Sequence, residues 1–174
     1  YEIVVTNALT GLPEYYGREM MAQDDYRLIM ASSAISVACH PVKLNGVPYF
    51  DGGLTDAIPV RRALEQGCDK LVVILSKNRD YVRKPQGMRR LYRRACRSYP
   101  NIVDAIDRRH VVYNENWKDV FSLERDGTAF VFAASEPIRV GTYSMKEDAE
   151  RNLYDLGLRD FAAWKNDLLE FLSI

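Results

Sequence analysis

The sequence predicts an α/β fold, and three observations support this class. Short β-branched runs, at residues 1–8 and 70–75, alternate with stretches in which apolar residues recur at helical spacing. Asn45 and Gly46 stand between two apolar runs, which is the strongest short-range signal of a β-hairpin. The 174 residues are 47% hydrophobic and 11% aromatic. The chain can therefore bury a core, and it does not have the composition of a disordered protein.

The N-terminal part is predicted to hold strands, one helix and the hairpin. Its elements are a buried strand at residues 1–8, a turn at 10–13, a returning edge strand at 14–17, a helix at 25–34 and the hairpin at 41–50. The second hairpin strand ends at Asp51, Pro59 suits the first turn of a short helix, and Gly67 suits the position just past its end. Residues 70–75 are almost all apolar, as expected of a strand buried on both faces, so this region predicts a βαβ-type arrangement.

From residue 77 onward the prediction is mainly helical. Residues 77–97 contain nine Lys or Arg against one acid, Asp80, with apolar residues at 3–4 spacing. This pattern predicts an amphipathic helix with an arginine-rich face. The remaining elements are a helix from 102 to 125, a turn at 126–127, a strand at 128–133, a short extended piece at 137–140, and two closing helices, 146–157 and 158–174, broken at Gly157.

Charge and cysteine content exclude several classes of protein. Lys plus Arg and Asp plus Glu balance at 24 each, so no global charge favours nucleic acid. Cys39, Cys68 and Cys96 are an odd number without a C-x-x-C pair, which predicts reduced, mostly buried thiols rather than a disulfide framework or a zinc site. No apolar run approaches the ~20 residues that cross a bilayer. Because the chain starts at Tyr1 inside a strand-like run, we expect it to be the C-terminal part of a longer protein.

Asp51, followed by Gly52 and Gly53, is the first candidate for chemistry. A carboxylate at the end of a strand, beside glycines that permit close approach, is suited to acid/base work. The alternative is a surface turn in which the aspartate caps its own backbone, because Asp-Gly is among the commonest turn signals. Asp56 is a second carboxylate. It either favours the protonated form of Asp51, because like charges repel, or occupies the N-terminal end of the following helix, where the helix dipole favours a negative charge.

Other catalytic motifs are missing from the sequence. It contains no G-x-S-x-G, no Walker A loop, no G-x-G-x-x-G and no H-E-x-x-H. Cys39 beside His40 invites a thiol–imidazole hypothesis, but adjacent side chains usually point apart in extended chain, so a packing role is favoured for Cys39.

Four segments occur in an order and spacing that resemble the patatin-like phospholipase family. They are Ala31-Ser32-Ser33-Ala34, the stretch from Gly46 to Leu54 that contains Asp51-Gly52-Gly53, Ile58-Pro59-Val60, and Gly67-Cys68-Asp69. The likeness covers roughly residues 3–75 and is far more specific than Asp-Gly-Gly alone. Asn114-Glu115 and residues 153–157 resemble the extension of a bacterial subgroup of these proteins.

The resemblance implies a three-layer α/β/α sandwich that hydrolyses acyl esters with a serine–aspartate dyad. Asp51 would be the dyad aspartate, Gly52 and Gly53 would complete its motif, and no metal or cofactor is implied. The family's serine matches no position here and is expected upstream. Asp56 departs from an asparagine common in the family, while Ser36, Cys39 and His40 depart at positions that bear on the shape of the acyl pocket.

Two regions follow from this resemblance. Residues 1–76 are expected to be the C-terminal part of the catalytic domain. Residues 77–174 are expected to be a mainly helical extension, with a strand near 128–133, packed on the same domain.

The leading hypothesis is therefore the C-terminal part of a serine acyl hydrolase that acts on a lipid or simpler carboxylic ester, with the N-terminal part of the same protein as its partner. The alternative is a non-catalytic binding or assembly module on the same scaffold. For the basic stretch 77–97 we favour a solvated face or an interdomain contact, with peripheral contact to anionic lipid head groups as the alternative. A nucleic-acid role is disfavoured because the aromatic residues of this stretch lie on its packing face. We expect a cytoplasmic location, and homo-oligomerisation is open.

Overall fold

Six strands and five α-helices confirm the predicted α/β class. The structure is a computed structural model that describes residues 1–138 and 147–173, and the counts refer to those residues. The strands are β1 (Ile3–Asn7), β2 (Pro13–Tyr16), β3 (Val42–Leu44), β4 (Val47–Asp51), β5 (Leu71–Asn78) and β6 (Ala129–Ala134). The helices are α1 (Arg27–Ser32), α2 (Val60–Glu65), α3 (Arg89–Ala95), α4 (Pro100–Arg125) and α5 (Glu147–Leu172), with 3-10 helices at Arg18–Met20 and Gly52–Leu54.

The chain divides into two compact units. The first unit comprises residues 1–59 and 83–117, and the second comprises residues 60–82 and 118–174. The expected division into regions 1–76 and 77–174, and the three-layer arrangement, stay predictions.

The first unit contains an antiparallel sheet with strand order β2-β1-β4-β3. The predicted hairpin is confirmed: Asn45 (φ 50°) and Gly46 (φ 84°) both adopt the left-handed conformation that a tight two-residue turn between β3 and β4 requires. The returning strand β2 lies at the sheet edge, as predicted. Consequently β4 is an inner strand, hydrogen-bonded to β1 on one side and to β3 on the other.

Two apolar clusters fix the position of β4. One joins β4 to α1 and β1, through Val5, Leu28, Ala31, Leu44 and Tyr49. The other joins it to α3 and α4, through Ala8, Ala34, Phe50, Leu54, Tyr92, Cys96, Ile102, Val103 and Ile106. Tyr49 and Phe50, the last two apolar residues of β4, are therefore packed on opposite faces of the sheet.

The second unit contains β5 and β6, which pair in parallel, together with α5. Two aromatic residues of β6, Phe130 and Phe132, contact α5. The ring centroid of Phe130 lies 5.8 Å from that of Phe171, and the centroid of Phe132 lies 5.8 Å from that of Trp164. Aromatic packing against α5 thus covers one face of β6.

The prediction that residues 70–75 form a strand buried on both faces is wrong. Burial along β5 alternates, so that Val72 is 44% exposed and Ile74 is 80% exposed, whereas Leu71, Val73 and Leu75 are buried. Val72 and Ile74 pair with Phe130 and Phe132 of β6 and share their face of the sheet. The aromatic residues of α5 contact the rings of β6, and an apolar cavity of about 700 Å³ is left along β5.

The expected βαβ arrangement through Asp51 is also absent. β4 belongs to the four-stranded antiparallel sheet, whereas β5 pairs in parallel with β6. The parallel crossover therefore runs from β5 through α3 and α4 to β6. The sequence between Asp51 and β5 was compatible with either topology, because a short helix can also join strands of different sheets.

Two helix boundaries differ from prediction. In the basic stretch only α3 is helical, because β5 extends to Asn78. Met88, the residue before α3, adopts a left-handed conformation that a longer helix would not contain. The predicted break at Gly157 is wrong, since α5 is continuous through it. A single glycine inside a helix costs only about 1 kcal/mol, which tertiary packing of the rest of α5 can outweigh.

A few predictions fall wholly or partly outside the described residues. In the extended piece predicted at 137–140, Pro137 and Ile138 belong to no regular element, and residues 139–140 are not described.

Within residues 1–138 and 147–173, none of the helices combines the length and the apolarity that a membrane crossing requires.

Candidate active site

The backbone of Asp51 is held from two directions at the end of β4. Its N–H donates to the carbonyl of Ala34 (3.0 Å), which follows α1. Its carbonyl accepts from the hydroxyl of Thr6 on β1 (2.8 Å), and that hydroxyl also contacts Thr55 (2.9 Å). Asp51 is therefore a fixed, half-buried residue of an inner strand rather than the tip of a surface loop.

The carboxylate of Asp51 has one bonded and one unbonded oxygen. Oδ1 accepts from the N–H of Gly53 (2.7 Å), so the side chain caps the following 3-10 helix. The capping role considered as the alternative is thus present as well. The other oxygen, Oδ2, has no hydrogen-bond partner among residues 1–138 and 147–173. A carboxylate anchored through one oxygen can present the other to an incoming hydroxyl proton.

The two glycines of the motif serve different purposes. A Cβ on Gly52 would collide with the backbone carbonyl of Val4 on β1, so no other residue fits without moving the strand. A Cβ on Gly53 would lie 3.1 Å from Oδ1 of Asp51 and 3.6 Å from Nη2 of Arg109. Gly52 therefore lets the chain pass close to β1, whereas Gly53 leaves room for the carboxylate itself.

Parts of the chain are similar to known proteins. Residues 10–64, which include the Asp51 corner, match the family model for patatin-like phospholipase. Residues 99–173 match a domain of unknown function (DUF6363). A stretch of 67 residues is 43% identical to the Escherichia coli (strain K12) "Uncharacterized protein YjjU", and it covers 38% of this chain but only 19% of that protein.

The carboxylate of Asp56 is hydrogen-bonded through both of its oxygens. Its Oδ2 accepts from the hydroxyl of Tyr15 on β2 (2.6 Å), and its Oδ1 accepts from the amide of Asn116 on α4 (2.6 Å). Asn116 also donates to the carbonyl of Ile58 (3.0 Å). Helix α2 begins only at Val60, so Asp56 precedes it by four residues. Its carboxylate joins β2 to α4, a role that neither of the two sequence hypotheses anticipated.

A group of hydrogen-bonded polar side chains on β1, β2 and β4 was missed from the sequence. Glu14 on β2 accepts from the hydroxyls of Tyr16 and Tyr49 and from the amide of Asn7. Burial and the hydrogen bonds to its neighbours raise the pKa of Tyr49. Burial alone would raise the pKa of Glu14, but the hydrogen bonds from Tyr16, Asn7 and Tyr49 outweigh it and lower that pKa. The two-residue spacing of Tyr49 and Asp51, which places them on one face of β4, was the available signal.

The three cysteines are free thiols, but the burial predicted for most of them is wrong. Cys39 and Cys68 are exposed, and Cys96 is buried. Cys39 and His40 lie in an exposed turn that follows α1, so Cys39 has no packing role. The other histidine, His110 on α4, has a buried Nδ1 without a hydrogen-bond partner in the described part of the chain. Within that part, no group of His, Cys, Asp or Glu side chains is arranged to hold a metal ion.

The basic stretch presents both charge and apolar surface. Arg90, Arg93, Arg94 and Arg97 are exposed, and the apolar residues Met88 and Leu91 beside them are 74% and 50% exposed. Tyr92 and Cys96 are buried, so the packing face is narrower than predicted. Contact of this face with an anionic lipid surface stays a prediction.

Proposed function

We propose that this chain is part of a serine acyl hydrolase in which Asp51 accepts the proton of a serine supplied by an upstream part of the same protein. The observation that carries the proposal is the carboxylate of Asp51, which is hydrogen-bonded through one oxygen only and lies within a segment that matches the patatin-like phospholipases. Its backbone and one oxygen are fixed, while Oδ2 is left for a proton.

The reaction would proceed in two steps. As the serine oxygen attacks the acyl carbonyl of a lipid or simpler carboxylic ester, its proton moves to Asp51 and then to the leaving alcohol. Asp51 next takes a proton from water, whose oxygen attacks the acyl-enzyme. The proton then passes from Asp51 to the departing serine oxygen, which releases the carboxylic acid and restores the free serine and the ionised Asp51. Because the serine is expected upstream, the 174-residue chain alone should not hydrolyse a p-nitrophenyl ester.

The decisive test is Asp51→Asn in the longer protein that carries the serine. Asparagine can still accept a hydrogen bond from the N–H of Gly53, so we expect the melting temperature to change little. Turnover of p-nitrophenyl butyrate should fall by roughly 10²–10⁴-fold, which is the usual contribution of a general base. Asp126→Asn, in the exposed turn after α4, is the matched control.

Wild-type turnover in the Asp51→Asn protein would remove Asp51 from the mechanism. The alternative, a binding or assembly module without catalysis, is distinguished by the gene upstream of Tyr1. A glycine-rich loop and a G-x-S-x-G motif there support the hydrolase, and their absence supports the module.

A further inference from the structure

We infer that Arg109 on α4 is a positioning residue for Asp51, an inference that rests on the proposed function of Asp51. Arg109 does not reach the reacting atoms in this scheme. It acts through the peptide groups of Gly53, which connect its guanidinium to the carboxylate of Asp51.

The connection consists of two hydrogen bonds in series. Nε of Arg109 donates to the carbonyl of Gly53 (2.8 Å), and the N–H of the same Gly53 donates to Oδ1 of Asp51 (2.7 Å). Gly53 has no side chain to hold it in place, and a Cβ at this position would lie within 4 Å of both Oδ1 of Asp51 and Nη2 of Arg109. The guanidinium therefore supplies the anchor that fixes the direction of the Gly53 amide.

Helix α4 is a rigid support for this anchor. Ile102 and Ile106 are buried against Phe50 and Leu54, the residues that flank the Asp51-Gly52-Gly53 corner. Asn116 lies seven residues beyond Arg109, on the same face of the helix, and holds Asp56 and Ile58. Helix α4 is thus hydrogen-bonded to both ends of the segment that follows Asp51, to Gly53 through Arg109 and to Asp56 and Ile58 through Asn116.

This arrangement assigns a role to part of a domain of unknown function. Arg109 lies within the 99–173 match to that domain, whereas Asp51 lies within the 10–64 match to the patatin-like phospholipases. The first half of α4 therefore completes the aspartate corner of the neighbouring segment.

Loss of the guanidinium should impair turnover more than folding. Without it, the Gly53 carbonyl loses a charge-assisted hydrogen bond and the peptide can rotate, which releases Oδ1 of Asp51. Misplacement of a reacting group by about 1 Å can cost 10²-fold in rate. We expect Arg109→Met, which keeps a long apolar stem, to lower kcat by 10–100-fold with KM changed less than twofold.

The experiment uses the longer protein that carries the serine, with p-nitrophenyl butyrate as substrate. Arg108→Met is the matched control, because Arg108 is the exposed neighbour of Arg109 on α4. Arg109→Lys keeps the charge and should retain more activity than Arg109→Met. In a double-mutant cycle, Arg109→Met should cost less than twofold when Asp51 is already asparagine, since its effect passes through Asp51. A purely structural role would reduce both backgrounds equally.

Each outcome separates the inference from the function on which it rests. If Asp51→Asn is inactive and Arg109→Met turns over like Arg108→Met, the inference is overturned while the proposed function stands. The inference is also overturned if Arg109→Met lowers kcat by the same factor in the wild type and in the Asp51→Asn protein. If Arg109→Met does not fold, Arg109→Gln, which removes the charge, replaces it, and a kcat equal to that of Arg108→Gln rejects the positioning role. If Asp51→Asn is fully active, the proposed function itself fails.

Discussion

The two apolar strands β4 and β5 have opposite environments. Residues 70–75 form the more continuous apolar run in the sequence, yet β5 alternates between buried and exposed residues and reaches 80% exposure at Ile74. In β4, by contrast, Pro48, Tyr49 and Phe50 are all buried. The difference follows from what packs on each strand: apolar clusters contact both faces of β4, whereas one face of β5 lines an apolar cavity.

This contrast shows why the candidate catalytic group is on β4. A carboxylate can be aimed only by a backbone that is itself fixed, and Asp51 is bonded through β1, through the residue after α1 and through Gly53. Residues of β5 that face the apolar cavity have few such constraints. Position in the sheet, rather than local hydrophobicity, determines which strand can support chemistry.

The largest expected effect tests the alternation along β5. Leu75→Ala should lower the free energy of unfolding of the 174-residue chain by about 2–4 kcal/mol, because it removes buried methyl groups. Ile74→Ala, one residue away, should cost less than about 1 kcal/mol, since Ile74 is already exposed. Urea unfolding followed by circular dichroism measures both values. Equal costs would contradict the alternation and with it the contrast between β4 and β5.

A second test compares one glycine from each unit. Gly52→Ala should destabilise the chain by about 1–3 kcal/mol or more, because the new Cβ meets the carbonyl of Val4. Gly157→Ala, inside α5, should stabilise it by about 0.5–1 kcal/mol, because that Cβ position meets no atom of another described segment within 4 Å and alanine favours the helix. The direction in which each variant shifts the denaturation midpoint shows whether it is stabilised or destabilised. Destabilisation by Gly157→Ala would indicate that α5 is broken there.

The smallest effect concerns Glu14, in the first unit. Its pKa is lowered in the folded chain, so the unfolded chain binds more protons and the stabilisation by Glu14 is present above its unfolded pKa. That stabilisation is lost as pH falls below about 5 and through the folded pKa. We expect Glu14→Gln to flatten the acid limb of a plot of unfolding free energy against pH. A limb as steep as that of Glu65→Gln, a variant on the exposed end of α2, would contradict the prediction.

Several features of the fold could be predicted because their causes are local. The Asn45-Gly46 turn needs two residues in the left-handed conformation, and these two residue types adopt it readily. The helix predicted from 102 to 125 is present, although it begins two residues earlier, at Pro100, because proline lacks a donor that the first turn would leave unpaired anyway. Asp51 could be proposed as a site residue because the order and spacing of the segments around it resemble the patatin-like phospholipase family.

Other features depended on contacts that sequence spacing does not contain. Arg109 lies 56 residues from Gly53, and Asn116 lies 60 residues from Asp56, so their hydrogen bonds arise only when α4 packs on β4. The exposure of Cys39 and Ile74 likewise reflects which neighbours cover them, which composition does not report.

The sequence alone determined the local conformations: the hairpin, the glycine corner and the helical and extended segments, since each is set by the steric and hydrogen-bonding preferences of a few adjacent residues. Only the tertiary structure decided that the parallel pair is β5–β6, that the Val4 backbone excludes a side chain at Gly52, and that Arg109 anchors Gly53. These outcomes depend on the free energy of packing distant segments together, to which each local sequence contributes only a part.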